Sequence, residues 1–332
     1  MNSNDRPVAV IILNWNGAKL LRRFLPSVMT NTDPDLARII VADNGSTDNS
    51  LEVLKNEFPD VEVMAFDSNY GFAGGYNKAI AGVDNKYVVL LNSDVETPGG
   101  WLNPLYEFLE THPHVGAVQP KIMSYNDKTK FEYAGAAGGL LDKNGYPYCR
   151  GRIFAYVETD HGQYDAAPSS IFWASGAAMT VRREVYVKAG GLDSEFFAHM
   201  EEIDLCWRMQ LMGYRIFAVP ASRVYHLGGG SLDYKNPRKT YLNFRNNLLM
   251  MYKNLPEKDR PAALIKRRLL DTLAWGMFML KLDLKNAGAV LKAHRDFRRM
   301  KDNYHTSPAR NLLKNRPNIL LHRLGLNRKK LY

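Results

Sequence analysis

The segment Lys86-Tyr-Val-Val-Leu-Leu-Asn-Ser-Asp94 carries an apolar run that stops abruptly at three polar residues. A short apolar run bounded in this way predicts a buried strand of a parallel sheet. Ligands of open α/β sheets bind just beyond the carboxyl ends of such strands, where Asp94 would offer oxygen ligands to a divalent cation. Asn, Ser and Asp are also common turn residues, so an ordinary turn stays open on this segment alone.

Two earlier apolar runs end in the same manner, one at Asn14-Trp-Asn16-Gly17 and the other at Asp43. Apolar residues at helical spacing follow each of them. Strands and helices in alternation predict βαβ units, and therefore an α/β fold around a mostly parallel sheet flanked by helices. Right-handed crossovers place the carboxyl ends of these strands on one edge. We therefore expect Asn14, Asp43 and Asp94 to lie close together.

A glycine-rich segment, Asn69-Tyr-Gly-Phe-Ala-Gly-Gly-Tyr-Asn77, precedes the strand over 87–91. We interpret it as a loop that leads into a helix over 77–83. Its glycines would allow backbone N–H groups to approach phosphate oxygens, and a helix N-terminus favours anions. The spacing is neither G-x-G-x-x-G nor a Walker loop, which disfavours a dinucleotide dehydrogenase but is compatible with a sugar nucleotide.

The middle of the chain offers weaker patterns. Residues 101–110 and 196–212 have helical spacing, and residues 171–181 predict a buried strand with a glycine interruption. Residues 121–170 are rich in Gly, Tyr, Asp and Lys. We expect loops with short strands there, which form a flap over a substrate.

Two polar clusters in the second half of the chain are candidates for chemistry. Glu201, Glu202 and Asp204 crowd three carboxylates near a predicted helix start. Crowded acids raise one another's pKa and can supply a general base, although stabilisation by the helix dipole is an alternative explanation. His226 ends a strand before Gly228-Gly-Gly230, where it could bind a metal, gate a substrate or serve only the structure.

Charge is distributed unevenly along the 332 residues. Residues 1–250 hold 24 Lys and Arg against 28 Asp and Glu, whereas residues 251–332 hold 20 against 6, a net charge of +14. We therefore expect a globular domain over 1–240 and a helical, basic region over 241–332. The basic region suggests an anionic partner, either nucleic acid or a membrane surface, and a solvated tail that binds nothing is the alternative.

The apolar run Leu273-Ala-Trp-Gly-Met-Phe-Met-Leu280 interrupts the basic region, with Lys266-Arg-Arg268 before it and Lys281 and Lys285 after it. The run is too short to span a membrane. Trp and Phe beside Lys and Arg fit a helix in the membrane interface, and packing on the core or on another subunit is the alternative. The two cysteines form no disulfide or metal pattern, and no apolar leader precedes Val8. We expect a cytoplasmic protein, peripheral on the inner face of the membrane.

Five motifs occur in an order that resembles one known family: Asp43-Asn-Gly-Ser-Thr-Asp48, the 69–77 segment, Leu91-Asn-Ser-Asp94, Gly191-Leu-Asp-Ser-Glu-Phe-Phe197 with Glu201-Glu-Ile-Asp-Leu-Cys-Trp-Arg208, and His226-Leu-Gly-Gly-Gly-Ser231. Over residues 8–250 the sequence resembles the family 2 glycosyltransferases of the GT-A fold, most of all their rhamnosyltransferase-like branch. The resemblance implies inverting transfer from a nucleotide-activated sugar, assisted by Mg²⁺ or Mn²⁺.

The resemblance also implies roles for individual residues. Asp94 matches the metal-binding Asp, Asn92 stands where many members carry a first Asp, and His226 matches a His that helps to hold the metal and diphosphate. Glu202 matches the catalytic base, usually an Asp, and Glu201 stays a second candidate. The strand ends and the glycine-rich segment would bind the donor through Asn14, Asn16, Asp43, Gly71, Gly74, Gly75, Asn77, Asn92 and Ser93.

The first hypothesis is therefore a metal-assisted enzyme that moves rhamnose or another hexose from a dTDP- or UDP-sugar. The acceptor would be a hydroxyl group of a glycan or of a lipid-linked oligosaccharide. A nucleotidyltransferase acting on a sugar phosphate is one alternative. A basic nucleic-acid-binding protein is another, but the basic residues of the tail are not interleaved with aromatic ones as in a stacking platform.

Overall fold

The computed structural model describes residues 6–228, 236–305 and 308–320. Its strands are β1 (Val8–Asn14), β2 (Ala37–Asp43), β3 (Glu62–Ala65), β4 (Tyr87–Asn92), β5 (Val95–Glu96), β6 (Val115–Ser124), β7 (Gly139–Leu141), β8 (Pro147–Cys149), β9 (Arg152–Ile153), β10 (Tyr156–Val157), β11 (Ser169–Ile171), β12 (Ala178–Arg182) and β13 (Arg215–His226). Its α-helices are α1 (Ala18–Asn31), α2 (Ser50–Glu57), α3 (Gly71–Ala81), α4 (Asn103–Thr111), α5 (Arg183–Lys188), α6 (Glu201–Leu211), α7 (Pro237–Asn254), α8 (Arg260–Leu280) and α9 (Leu284–Met300).

Nine strands of the described residues form one central sheet, in the order β11-β13-β6-β12-β4-β1-β2-β3, with β5 paired to β13. Strands β3, β2, β1 and β4 are mutually parallel, as predicted. The other half is mixed, because β12 runs antiparallel to both β4 and β6. The α/β fold is therefore confirmed, and the fully parallel arrangement is limited to the first half.

Both faces of the sheet are buried, because β1 alternates its side chains between two apolar layers. Ala9 and Ile11 pack in the layer that contains α3, whereas Val8, Val10 and Ile12 pack in the layer that contains α1. Period-two alternation with apolar residues on both faces is what a covered parallel strand requires. The polar strand ends therefore lie at the edge of a sheet that apolar side chains cover on both faces.

Two elements of the middle region begin later or divide differently than predicted. The strand predicted over 171–181 is split into β11 and β12, which lie at different places in the sheet. The helix predicted from residue 196 begins at Glu201, because a short 3-10 helix and a stretch of left-handed backbone precede it. Apolar spacing continues across this stretch, so the pattern alone could not locate the start of α6.

The region over 121–170 contains a small antiparallel sheet in the order β10-β9-β8-β7. The buried Lys121 of β6 anchors the segment that follows β10, since its Nζ lies 2.5 Å from Asp160 and 2.7 Å from Asp165. An isolated β-bridge also pairs Gly139 of β7 with Trp173, which lies between β11 and β12. The predicted short strands are confirmed. That this region forms a flap over the substrate stays a prediction.

Helices α7, α8 and α9 pack on one another, and α7 also packs on α6. The domain boundary predicted between residues 240 and 241 falls inside α7, which begins at Pro237. Asn236 caps this helix, because its Oδ1 accepts a hydrogen bond from Arg238 N at 2.9 Å. Arg267 does not flank the apolar run at the surface; it is buried and bound to Asp271 at 3.0 Å. Among the described helices, none combines the length and apolarity needed to cross a membrane.

Candidate active site

Polar side chains converge at the carboxyl edge of the parallel half of the sheet. Asn14 is the register partner of Asp43, and the adjacent Leu13 is the partner of Asn92. Asn14 Nδ2 donates to Asp43 Oδ2 at 2.9 Å, and both side chains are buried. Asn14 Oδ1 has no hydrogen-bond partner within the described part of the chain. The convergence predicted from strand order is therefore confirmed.

A tight turn follows Asp43 and is shaped by Asn16. Asp43 Oδ1 accepts from Ser46 N at 2.9 Å. Asn16 has a positive φ of 50°, and its Oδ1 accepts from Thr47 N at 2.7 Å and from Asp48 N at 3.2 Å. The structure thus places Asn16 as a residue that fixes the turn beside Asp43, and its own contact with a donor stays a prediction.

The predicted glycine loop is wrong as secondary structure, because α3 begins at Gly71 and the glycines lie in its first turns. Gly71 has a φ of +72°, which favours glycine, and its N–H donates to Asn69 Oδ1 at 2.8 Å. Asn44 fixes this helix start, since its Nδ2 donates to Asn69 Oδ1 and to Gly71 O, both at 3.0 Å. Sequence reasoning missed Asn44, although it directly follows Asp43.

Close packing explains why glycines occupy this helix. A Cβ at Gly75 would stand 2.7 Å from a methyl carbon of Leu13, and a Cβ at Gly71 would stand 2.8 Å from the ring of Phe197. Gly74 is half-buried, and a Cβ there would lie 3.1 Å from Tyr70. Gly75 therefore lets α3 approach β1 and Gly71 lets it approach Phe197, whereas binding of the glycines to phosphate stays a prediction.

Asn77 is bound within the protein. Its Nδ2 donates to Leu192 O at 2.7 Å, while its Oδ1 accepts from Tyr186 Oη at 2.6 Å and from Leu192 N at 2.9 Å. These three bonds join α3 to α5 and to the turn after it. The structure thus places Asn77 in a linking position, and its own contact with a donor stays a prediction.

Asp94 and His226 meet at the end of β4. The two side chains are buried, and His226 Nε2 lies 3.0 Å from Asp94 Oδ1. Asn92 Nδ2 lies 3.3 Å from the same ring nitrogen. Ser93, between Asn92 and Asp94, is half-buried next to Gly17. The two residues predicted to hold a metal are thus brought together.

No group of three or more His, Cys, Asp or Glu side chains is arranged to hold a metal in the described ranges. Asp94 and His226 nevertheless fit as a partial donor set, since two adjacent ligands of an octahedral ion at about 2.1 Å lie roughly 3 Å apart. Their oxygen and nitrogen are separated by 3.0 Å. A cation held here would need further oxygen ligands, which a diphosphate can supply.

Glu132 is a third ionisable residue at this place that sequence reasoning missed. Its Oε2 lies 3.6 Å from His226 Nδ1 and accepts from Ala134 N. Burial alone would lower the pKa of His226, but the carboxylates of Asp94 and Glu132 outweigh it and raise the pKa to about 10. Glu132 lies in the region over 121–170, where no local pattern marked it.

The three carboxylates at the start of α6 differ in environment. Burial, followed by the charge of Glu202, raises the pKa of Glu201 well above its ordinary value. Burial raises the pKa of Glu202 to about 7. Burial opposes ionisation of Asp204 as well, but Arg208 at 2.7 Å and Lys253 at 3.0 Å hold its pKa below the ordinary value. One of the acids is paired, whereas the two glutamates each have an oxygen without a hydrogen-bond partner in the described residues.

Glu202 lies beside the end of β4. Asn92 N donates to Ala177 O at 3.0 Å, and the neighbouring Gly176 is close enough that its Cβ would lie 4.0 Å from Glu202 Cβ and 3.1 Å from Phe72. Glu202 is half-buried, whereas Glu201 is only 4% exposed. Of the two glutamates, Glu202 is therefore the more accessible to a substrate.

The backbone that leads into α6 is strained and is held by α7. Phe197, His199 and Met200 have positive φ angles of 62°, 71° and 75°, which is costly outside glycine and is frequent at active sites. Asn246 Nδ2 lies 2.8–2.9 Å from the carbonyl oxygens of residues 196, 198 and 199. Arg245 Nη2 donates to the carbonyls of residues 195 and 196. Sequence reasoning missed both α7 residues, because their partners are backbone carbonyls about 50 positions away.

Comparison with known proteins gives consistent results. A family model described as Glycosyl transferase family 2 matches residues 9–185. The N-acetylglucosaminyl-diphospho-decaprenol L-rhamnosyltransferase of Mycobacterium tuberculosis is 26% identical over 239 residues, which cover 65% of this chain and 75% of that protein.

Two solved structures share the fold. TarS 1–349 of S. aureus, in complex with UDP-GlcNAc, aligns with a TM-score of 0.57 at 17% identity and covers 87% of this chain and 80% of its own. The mannosyltransferase PcManGT from Pyrobaculum calidifontis, in complex with GDP-Man and Mn²⁺, aligns with a TM-score of 0.53 at 16% identity and covers 89% and 83%. The similarity confirms the predicted GT-A fold.

Proposed function

Because this chain belongs to glycosyl transferase family 2, we propose that it moves a sugar from a nucleoside-diphosphate sugar to a hydroxyl group of a glycan or lipid-linked acceptor, with inversion. One observation carries the proposal. Glu202, a carboxylate with a pKa of about 7 and no ion pair in the described part of the chain, lies beside the strand end that leads to Asp94 and His226. A base is thus positioned next to a candidate site for the leaving diphosphate.

The strand ends would bind the donor. Asp43 is fixed by Asn14 and by the turn after it, so its carboxylate is held in place to accept hydrogen bonds from a base or ribose. Asn92 and Ser93 lie next to Asp94 at the neighbouring strand end. A rigid donor site lowers the entropic cost of bringing the anomeric carbon and the acceptor oxygen into line.

Asp94 and His226 would hold a divalent cation, Mg²⁺ or Mn²⁺. Such an ion neutralises the charge that develops on a leaving diphosphate. Support comes from the oxygen and nitrogen atoms that face each other at 3.0 Å. Because the raised pKa of His226 keeps its ring protonated at neutral pH, a bound cation would displace that proton. Asn92 replaces a charged ligand by a neutral one, so binding of the metal would depend mainly on Asp94.

Glu202 would act as the general base. A carboxylate with a pKa near the working pH is efficient because a useful fraction is ionised and the proton transfer is still favourable. As the acceptor hydroxyl attacks, its proton moves to Glu202, the new C–O bond forms, and the bond from the anomeric carbon to the diphosphate breaks. The nucleoside diphosphate leaves with the electron pair from the opposite face, which inverts the anomeric configuration.

We propose rhamnose as the first sugar to test, carried by dTDP or UDP, with a lipid-linked glycan as the acceptor. The basis is the similarity to a rhamnosyltransferase whose name gives an N-acetylglucosaminyl-diphospho-decaprenol substrate. Because the identity is 26%, this relative suggests a class of substrates and not a particular compound. Membership of the family favours glycosyl transfer over the nucleotidyl transfer and the nucleic-acid binding that the sequence alone left open.

We also propose that the C-terminal helices contact an anionic membrane surface from the cytoplasmic side. Five side chains of α8, each more than half exposed, recur at helical spacing and form an apolar stripe: Ile265, Leu269, Leu273, Met277 and Leu280. Lys266, Arg268 and Lys281 lie beside it. An exposed apolar stripe with basic neighbours fits the boundary between lipid head groups and acyl chains.

The experiment is a screen of dTDP-, UDP- and GDP-sugars with Mn²⁺ and a polyprenyl-diphosphate-linked N-acetylglucosamine, followed by identification of the co-product. Glycosyl transfer releases a nucleoside diphosphate and extends the acceptor by one sugar. Release of pyrophosphate from a nucleoside triphosphate and a sugar phosphate would instead identify a nucleotidyltransferase. Absence of any transfer from every donor, with a folded protein, would contradict the proposal.

A further inference from the structure

A cleft of about 650 Å³ lies between α7 and α9. Its lining is basic and aromatic, and includes Phe197, Arg238, Tyr241, Arg245, Lys285 and Lys292. Two of the cations lie against rings: Arg238 is 4.9 Å from the centroid of Phe197, and Lys292 is 4.8 Å from that of Tyr241. The proposed donor site and base do not use this cleft.

In the described part of the chain, the two lysines of the cleft have acidic neighbours only beyond ion-pair distance, Asp283 for Lys285 and Asp296 for Lys292. Arg238, Lys285 and Lys292 form no ion pair within 4.0 Å among the residues that the structure describes. Asp296 on α9 instead accepts from Tyr241 Oη at 2.9 Å and from Arg295 Nε at 3.1 Å, and Lys292 acts on it only from beyond ion-pair distance. Positive charges that face one cavity repel one another, so an anion bound among them would be stabilised.

The cleft adjoins the candidate active site through Phe197. The ring of Phe197 lines the cleft, and its carbonyl oxygen accepts from Phe72 N at 3.0 Å at the start of α3. Phe72 in turn lies beside Gly176, which is next to Glu202. A chain of contacts through Phe197 and Phe72 therefore links the cleft to the surroundings of the proposed base.

Apolar surface borders the cleft on its outer side. On α9, Leu284 and Leu291 are seven residues apart and share one helix face, and both are more than half exposed. Lys285 and Lys292 each directly follow one of these leucines, so they also lie seven residues apart, on the neighbouring face of α9. The lysines thus stand between an exposed apolar surface and the interior of the cleft.

We propose that this cleft binds the diphosphate of a lipid-linked acceptor. The lipid chain would leave across Leu284 and Leu291, and the acceptor sugar would extend past Phe197 toward Glu202. The diphosphate is held by charge, and no bond to it forms or breaks. Its assignment to an acceptor rests on the proposed function, whereas the binding itself can be measured without any transfer.

The test is calorimetric titration of the full chain with farnesyl diphosphate in EDTA, which removes any contribution from a divalent cation. Lys285→Gln/Lys292→Gln removes two charges from the cleft, and Arg299→Gln/Lys314→Gln removes two exposed charges elsewhere as a matched control. We expect the cleft variant to weaken binding about tenfold or more and the control to change it less than about twofold, with equal melting temperatures. Excess UDP and dTDP should not displace the ligand.

Three results would overturn the proposal: unchanged affinity in the cleft variant, equal losses in both variants, or displacement by the nucleotides. Vesicles of phosphatidylglycerol, titrated in parallel, separate an acceptor diphosphate from a bulk lipid head group. If the cleft variant loses vesicle binding and farnesyl diphosphate never binds, the head group is the ligand and the acceptor assignment is wrong. Binding with no transfer activity would contradict the proposed function alone.

Discussion

Glu201, Glu202 and Asp204 show how one helical turn can hold three carboxylates in three states. Asp204 is ionised by Arg208 and Lys253, and Glu201 is the more deeply buried of the two glutamates. Glu202 is half-buried with a pKa of about 7. Environments that separate the pKa values of neighbouring acids are typical of catalytic sites. The sequence showed the crowding, but the positions of Arg208 and Lys253 set Asp204 apart, and the difference in exposure separates Glu202 from Glu201.

The rate of transfer should follow the ionisation of Glu202. Because a base acts only when deprotonated, turnover should rise with pH through about 7 and then level off. Glu202→Gln should lower turnover by about 10²–10⁴-fold, with Glu201→Gln as the matched control. Steady-state rates from pH 5.5 to 9 test this, and a Glu202→Gln enzyme that keeps the wild-type rate would refute the assignment of the base.

Glu201 should limit stability at alkaline pH. Its pKa in the folded state is raised above the unfolded value of about 4.5. At pH values between the two, the folded protein binds a proton that the unfolded chain releases, so the free energy of unfolding falls as the pH rises. Glu201→Gln removes this loss and should raise the melting temperature at pH 8 by roughly 1–4 °C, with a smaller change at pH 5. Equal shifts at the two pH values, measured by differential scanning fluorimetry, would show that ionisation is not the cause.

Several site residues could be placed from sequence because strand order fixes them. Asn14, Asp43 and Asp94 follow from apolar runs that end on one edge. Asn16 and Asn77 could not be resolved, since an asparagine in a turn and an asparagine that binds a nucleotide have the same local pattern. Glu132 was missed because its partner, His226, is far along the chain.

At the scale of elements, α3 is the clearest departure from expectation. Glycine has a low helix propensity, so a segment with Gly71, Gly74 and Gly75 predicts a loop. The structure forms a helix there because the absence of Cβ atoms permits contact with Leu13 and Phe197. Tertiary packing therefore overrides local propensity, and no local pattern could have revealed it.

Helix α7 should control the geometry of the loop over 196–200. Asn246→Asp exchanges the amide donor that faces three carbonyl oxygens for a carboxylate that repels them. The loop should then shift and displace Glu202, and a displacement of about 1 Å can lower the rate by about 10²-fold. Asn243→Asp, the same change one turn earlier on α7, is the control. The expected result is a loss in kcat with little change in donor KM. A drop in melting temperature alone, with kcat preserved, would assign Asn246 a purely structural part.

At the scale of the whole molecule, the basic C-terminal part carries both the apolar stripe and the cleft. Composition predicted an anionic partner, but not which surface would meet it, because burial of Arg267 and exposure of Leu273 depend on how α8 packs. The basic residues after 320 lie outside the described residues, as do the glycines at 229 and 230. The surface assigned to the membrane therefore rests on α8 and α9.

Membrane contact should require both charge and the apolar stripe. Leu269→Ser/Leu273→Ser should reduce sedimentation with phosphatidylglycerol vesicles several-fold. Each substitution removes a leucine side chain whose full burial in the membrane would contribute about 1.5–3 kcal/mol to binding. Leu51→Ser, at an exposed leucine on α2, is the control. Salt should weaken binding by the wild type. No sedimentation of the wild type at low salt would exclude a peripheral membrane role.

The central claim is that Glu202 assists direct displacement of a nucleoside diphosphate by an acceptor hydroxyl. The most direct test is the anomeric configuration of the product, determined by nuclear magnetic resonance after transfer from a donor of known configuration. A single displacement predicts that every linkage formed is inverted relative to the donor, and that Glu202→Gln forms almost none. A product that retains the configuration of the donor would contradict it.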